Sequence, residues 1–308
     1  MPILVTGGAG FIGSHLVRWL VKQGHEVRVL DNLSTGRREN LGPVLAQIRL
    51  IEGDLCDLPT VQAAADGTDL VFHLAALVSV QESTEHPLRA HAVNATGSLH
   101  VLEAARSARV RRVVQMSSSA VYGNTERLPV GEDTMPQPPS PYAATKLAAE
   151  QYGTMYTELY GVEVVALRGF NIYGPRQDPS SPYAAVIPKF VAALRGGQQP
   201  TIFGDGLQTR DFIFVGDVVQ ALWTAATTDG LAGGVFNAGR GETVSVLELA
   251  HLLGELMGTP VQPHFAPARP GEVRHSRADV SRFAAQTGFR SRVGVREGLQ
   301  AVLSDVLG

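Results

Sequence analysis

The stretch "TGGAGFIG", residues 6–13, decides the fold. A short apolar run, "ILVT" (3–6), leads into it. After it, "FIGSHLVRWLVKQG" (11–24) places apolar residues every three or four positions. The order is therefore strand, glycine-rich turn, amphipathic helix. Gly8-x-Gly10-x-x-Gly13 has the dinucleotide spacing, and Gly7 adds a second spacing that also ends on Gly13. Glycines at such a turn let backbone N–H groups approach a diphosphate at the helix N-terminus. Glycine-rich turns are common, so the motif gains force only from what surrounds it.

Outward from that turn the alternation continues. "EVRVL" (26–30), "IRLIEG" (48–53), "LVFHLA" (70–75) and "VRRVVQMSS" (110–118) read as strands, with helical patterns such as "NATGSLHVLEAARSA" between them. Alternation of this kind predicts parallel strands joined by right-handed crossovers, a doubly wound α/β sheet of the Rossmann type. Past residue 176 the rhythm loosens into short strands and separate helices. Two domains are expected: a dinucleotide-binding domain over 1–176 and a smaller α+β substrate domain over 177–308, with about 205–230 packing back on the first. In open α/β sheets ligands bind beyond the carboxyl ends of the strands. "TGGAGFIG", "DN", "GDL", "HLAA" and "SSS" all fall at such ends.

The formal net charge of −3 argues against nucleic acid as the main partner, which would require a basic surface. One cysteine, Cys56, permits no intrachain disulfide, and no long apolar run suggests a membrane span. The N-terminus lacks a charged segment ahead of its apolar run, so a cytoplasmic protein is expected.

The second strand ends in Asp31, eighteen residues after Gly13. A carboxylate there can accept both hydroxyls of an adenosine ribose and repels the extra phosphate of NADP, so NAD is the expected cofactor. Arg37 and Arg38 lie close enough to soften that choice, although a solvated loop accounts for them. Asp54, ending the third strand, has two readings: a contact to the adenine amino group, or a cap on the next helix. Cys56 reads as a small core side chain.

"SPYAATK" (140–146) sets Tyr142 and Lys146 one helical turn apart, behind the proline-rich surface loop "LPVGEDTMPQPPSP" (128–141). Alone the pair means little. Beside a dinucleotide site it means more. A phenol with a pKa of ~10 is a poor base at neutral pH, but a cation one turn away stabilises the phenolate. "MSSSAVYG" supplies a hydroxyl donor at the end of the fifth strand.

With "NATGSLHVLEAA", "RGFNIYGPRQ", "VIPKF", "TIFGDG", "QTRDFIFVGDV" and "RPGEVRHSRAD", these motifs run in order from residue 6 to 279. The chain resembles the extended short-chain dehydrogenase/reductases, and among them the nucleotide-sugar 4-epimerases acting on UDP-glucose or UDP-N-acetylglucosamine. The resemblance implies Tyr142 as general base, Lys146 as its electrostatic partner and ribose ligand, and Ser118, four residues before the Tyr of "VYG", as the substrate-orienting hydroxyl. It implies Gly7, Gly10, Phe11, Ile12 and Gly13 around the cofactor diphosphate. Asp31, Asn32, Ser34, Thr35 and Gly36 would line the adenosine ribose, and Asp54 and Leu55 the adenine. Leu74, Ala75, Ala76 and Asn94 would line the cofactor's middle, with Phe170 on the nicotinamide side. For the substrate it implies Asn171 at the diphosphate, Val186 and Phe203 at the uridine, Arg210 and Arg269 as a diphosphate clamp, and Glu272 on the uridine ribose. It also implies a homodimer paired through the helices around 83–107 and 142–160.

Val78 stands where some galactose-type relatives carry a cofactor-reaching lysine. Sister dehydratases place an Asp-Glu pair after the catalytic hydroxyl, where this chain has Ser119 and Ala120. Decarboxylases often need a Glu at the second of these positions. Without such groups, hydride returns to the carbon it left, giving 4-epimerisation. A dehydratase, a decarboxylase and a non-catalytic NAD sensor remain the alternatives. In the family, the residue four after the ribose-binding acid sits beside the sugar's 2-substituent. Here it is Ser276, small enough to admit an N-acetyl group, or else a loop serine without a selective role.

Overall fold

The computed structural model describes residues 1–178, 185–268 and 273–307. The five apolar runs form parallel strands β1 (Pro2–Thr6), β2 (Glu26–Asp31), β3 (Arg49–Glu52), β4 (Leu70–His73) and β5 (Arg112–Ser118). A sixth, β6 (Glu163–Gly169), and a seventh, Val235–Ala238, complete one sheet. Across the sheet the order runs seventh strand, β6, β5, β4, β1, β2, β3. Strand order therefore reverses at β1, which pairs with β2 on one side and β4 on the other. That reversal opens the crevice in which doubly wound sheets hold ligands.

Ile3, Leu4 and Val5 are wholly buried, as expected of a strand covered on both faces. One face packs against helix α1 (Phe11–Lys22) and the helix Val215–Thr227, through Leu16, Val17 and Leu20 on one and Val218, Ala221 and Leu222 on the other. The opposite face packs against the helices Leu58–Ala65, Gly97–Ser107 and Pro141–Tyr160. A separate core, built on Phe190, Leu249, Leu253 and Leu299, holds the C-terminal helices together.

The chain crosses back after residue 176. Val235–Ala238 pairs with Ala166–Gly169 of β6, further along than the 205–230 segment expected to return. Helix Val215–Thr227 lies against α1, with Trp223 and Trp19 at 5.2 Å between ring centroids. The reason is geometric: the outer edge of β6 would otherwise stand unpaired. Among the described residues no helix is long and apolar enough to cross a membrane.

Candidate active site

The glycine-rich turn is shaped for a close approach. Gly7 adopts φ +69°, and a Cβ there would lie 2.6 Å from the Ala75 amide nitrogen. A Cβ on Gly13 would overlap the Gly7 carbonyl, so the helix can seat on the turn only without one. Gly10 caps α1 with no side-chain hydrogen bond, and no acidic residue stands in the first turn. The helix thus offers free N–H groups and its positive dipole end to an anion. Phe11 and Ile12 begin the helix, half-buried.

At the end of β2 the buried Asp31 carboxylate accepts the Ala9 and Leu33 N–H groups, both at 2.9 Å. Burial pushes its pKa up, and these two bonds oppose the rise. A Cβ on Gly36 would come within 2.9 Å of both Asp31 oxygens, so only glycine fits against that carboxylate. Ser34 and Thr35 are exposed on the same loop. Arg37 pairs with Asp178 at 2.6 Å and Arg38 with Glu52, so both nearby arginines are already engaged by carboxylates.

Asp54 caps no helix. The next helix starts at Leu58, with Asp57 at its N-cap position. Asp54 instead accepts the Cys56 N–H at 2.8 Å and the Asn32 amide at 2.8 Å, which hold its pKa down. That tight turn pushes Cys56 outward. The cysteine is exposed, not a core residue, with its thiol raised to about 11 by burial of the sulfur and by Asp54. Leu55 is buried against Gly97.

Leu74, Ala75 and Ala76 follow β4 and stay half-buried beside the turn. Asn94 holds them in place. Its Oδ1 accepts the Leu77 N–H at 2.8 Å, while its Nδ2 donates to the Leu77 carbonyl and the Thr145 hydroxyl. The side chain thus ties this loop to the helix Pro141–Tyr160.

The dyad stands on the helix Pro141–Tyr160. Ser140 caps it by accepting the Ala143 N–H, Pro141 occupies the first turn, and Gly161 ends it in the left-handed region. Ser83, wholly buried on a neighbouring helix, accepts the Tyr142 N–H at 3.1 Å. The Tyr142 hydroxyl hydrogen-bonds the Ser118 side chain; burial raises the phenol's pKa and this bond opposes it. Lys146 is buried and donates to the Met116 carbonyl at 2.9 Å. Burial lowers its pKa to about 8, with Glu150 pulling the other way. Ser118, Tyr142 and Lys146 therefore converge at the carboxyl end of β5.

Phe170 is 2% exposed and packs on Tyr122 with centroids 6.3 Å apart. With Val121, Val130 and Ala278 the two rings form a small core of their own. Asn171 donates to the Asp211 carbonyl at 3.2 Å. Val186 opens a C-terminal helix and Phe203 ends a short strand, both half-buried. Arg210 donates to the Thr209 and Arg274 carbonyls. The Ser276 N–H meets the Thr209 carbonyl at 3.1 Å, which sets Ser276 alongside the strand that carries Arg210. Arg269 and Glu272 lie outside the described residues.

Several residues without an expected role organise this site. Asp211, fully buried, accepts the Arg240, Gly241 and Ala278 N–H groups and so ties the Arg210 strand to the Ser276 segment. Glu150 and Arg168 form a buried ion pair behind Lys146. Both carried a signal in the sequence, a charge set within an apolar run, "KLAAE" and "VVALRG", where burial demands a partner.

Comparison with known proteins agrees with this geometry. The NAD dependent epimerase/dehydratase family model matches residues 3–239. A UDP-glucose 4-epimerase of Mycolicibacterium smegmatis is 42% identical over 303 residues, covering 97% of this chain and 96% of that protein. The structure of a UDP-N-acetylglucosamine 4-epimerase from Methanobrevibacter ruminantium, in complex with UDP-N-acetylmuramic acid, superposes with a TM-score of 0.95 at 39% identity, covering 99% of this chain and 98% of that one. That of a Thermus thermophilus UDP-glucose 4-epimerase, in complex with NAD, does so with a TM-score of 0.91 at 38% identity, covering 100% and 99%. With its uncapped α1 N-terminus, its Asp31 at the end of β2 and its Ser118–Tyr142–Lys146 set, the chain belongs to the NAD dependent epimerase/dehydratase family.

Proposed function

We propose that the protein interconverts the 4-epimers of a UDP-hexose, UDP-glucose with UDP-galactose and also UDP-N-acetylglucosamine with UDP-N-acetylgalactosamine. The observation that carries this reading is the convergence of Ser118, Tyr142 and Lys146 beside the dinucleotide turn, with Ser119 and Ala120 next to them offering no elimination acid or base. NAD, held by the α1 N-terminus and Asp31, would take hydride from the sugar's C4 and return it.

The residues supply the proton chemistry. Ser118 orients the C4 hydroxyl. Tyr142 removes its proton, and the neighbouring Lys146 ammonium offsets the cost of a buried phenolate. After the 4-keto sugar presents its other face, Tyr142 returns the proton. Arg210, Asn171, Val186 and Phe203 grip the nucleotide while the sugar turns, and Arg269 and Glu272 are assigned to the same grip by sequence. Pairing of two copies through the helices Val80–Glu85, Pro87–His91 and Pro141–Tyr160 belongs to the proposal, because Leu88, Leu159 and Val80 leave apolar surface exposed there.

The test gives purified protein UDP-glucose and UDP-N-acetylglucosamine in separate tubes, with and without added NAD, and resolves products by NMR. The 4-epimer should form in both tubes, and Tyr142→Phe should form none. A product lacking water or carbon dioxide would replace this reading with a dehydratase or decarboxylase. Ser276→Tyr should lose the N-acetylated pair first, by about tenfold or more, since a filled pocket rejects the bulkier sugar. Unchanged selectivity in that variant discards the gate.

A further inference from the structure

Tyr142, Lys146 and Glu150 are spaced by four on one helix, so they share a face. Glu150 is 3% exposed and grips Arg168 of β6 in a two-pronged pair, Nε to Oε1 at 2.9 Å and Nη2 to Oε2 at 2.7 Å. The Ser117 hydroxyl donates to the same Oε1. Arg168 also lies 4.6 Å from the centroid of Tyr122, whose hydroxyl donates to Asn237 of the seventh strand at 2.6 Å.

A buried ion pair is a poor way to gain stability, since apolar residues of similar volume usually do as well. Its position suggests another use. Its Arg168 stands two residues before Phe170, its Glu150 one turn after Lys146, and it accepts the hydroxyl of Ser117, the residue before Ser118. We propose that Glu150, fixed by Arg168, is a positioning residue that holds the charge state of Lys146 and the placement of Ser118 around the Tyr142 phenol. This rests on the proposed epimerisation for its catalytic meaning, but not for its electrostatics.

The groups facing Lys146 are few. On its own helix are Tyr142 and Glu150, and across the sheet are His73 of β4 and Arg168 behind Glu150. His73 is held neutral, with its two ring nitrogens bonded to Thr6 and Ser98. Arg168 repels an ammonium. Glu150 is the group on this face that favours it.

The chain has only three lysines, Lys22, Lys146 and Lys189, so ε-carbon NMR resolves Lys146 directly, with Lys146→Met as the assignment control. In full-length protein without sugar, Glu150→Gln should lower the Lys146 midpoint by about one pH unit. Glu150→Asp, which keeps the charge, should leave it near the wild-type position. The single amide variant strands a buried guanidinium and risks misfolding, so Glu150→Gln/Arg168→Gln is measured beside it. That neutral pair should also titrate below wild type. With UDP-sugar, the alkaline limb of kcat should move down with the midpoint while KM changes less than twofold. An unmoved midpoint in the folded double variant overturns the proposal, as does an equal displacement in Glu150→Asp. Failure to turn over either sugar counts against epimerisation, and the sugar-free titration still decides this proposal.

Discussion

Burial disfavours the Tyr142 phenolate and the bond to Ser118 favours it, so the proposed chemistry calls for positive charge brought near the ring. In that proposal Lys146, lowered to about 8 by burial, is the source of the charge. The histidine beside it is shifted in the same direction, and far enough to lose its charge. Burial, aided by Lys146, lowers His73 from 6.5 to about 3, so the native ring stays neutral while the unfolded one takes up a proton. Stability from this group is complete above pH 6.5 and is lost as pH falls toward 3, reaching ~3 kcal/mol by about pH 4. His15, lowered to about 4 mainly by burial, acts in the same direction. Thermal unfolding across that range should show a falling midpoint, and His73→Gln should flatten the slope; an identical slope would remove His73 from the account.

At the scale of elements, the decisive object is α1 seated on its turn. Gly13→Ala places a methyl inside the Gly7 carbonyl, so the helix must lift away from the strand end. Destabilisation of about 2 kcal/mol and NAD binding weakened at least tenfold are expected, measured by denaturant unfolding and calorimetry. Wild-type affinity would mean that the turn has slack. This element was fully legible in the sequence, because strand, glycines and helix are contiguous and each obeys a local rule. The dyad helix was legible too, with its cap, its proline and its four-residue spacing. What stayed hidden depends on contacts between distant segments. Asn94 sits within a π-helical stretch, Ala92–Thr96, and its side chain reaches Leu77 and Thr145. Cys56 is exposed because Asp54 turns the chain there. Asp211 draws on N–H groups from positions 240, 241 and 278, which no spacing announces.

For the molecule as a whole, the main sheet is not finished by the first half of the chain. A fragment ending at residue 176 would keep the glycine-rich turn and the dyad but leave the β6 edge unpaired and strip the helix Val215–Thr227 from one face. It should aggregate on size-exclusion chromatography, and a soluble monomer would show that the first six strands suffice. The same topology bears on how the protein is made. Between residue 176 and residue 238 a ribosome adds 62 residues, a wait of ~3–12 s at about 5–20 residues per second. Throughout that interval the nascent chain offers the open edge of β6. Codon choice over this stretch, and chaperones able to sit on that edge, should therefore govern the yield of active enzyme more than any single contact in the finished fold.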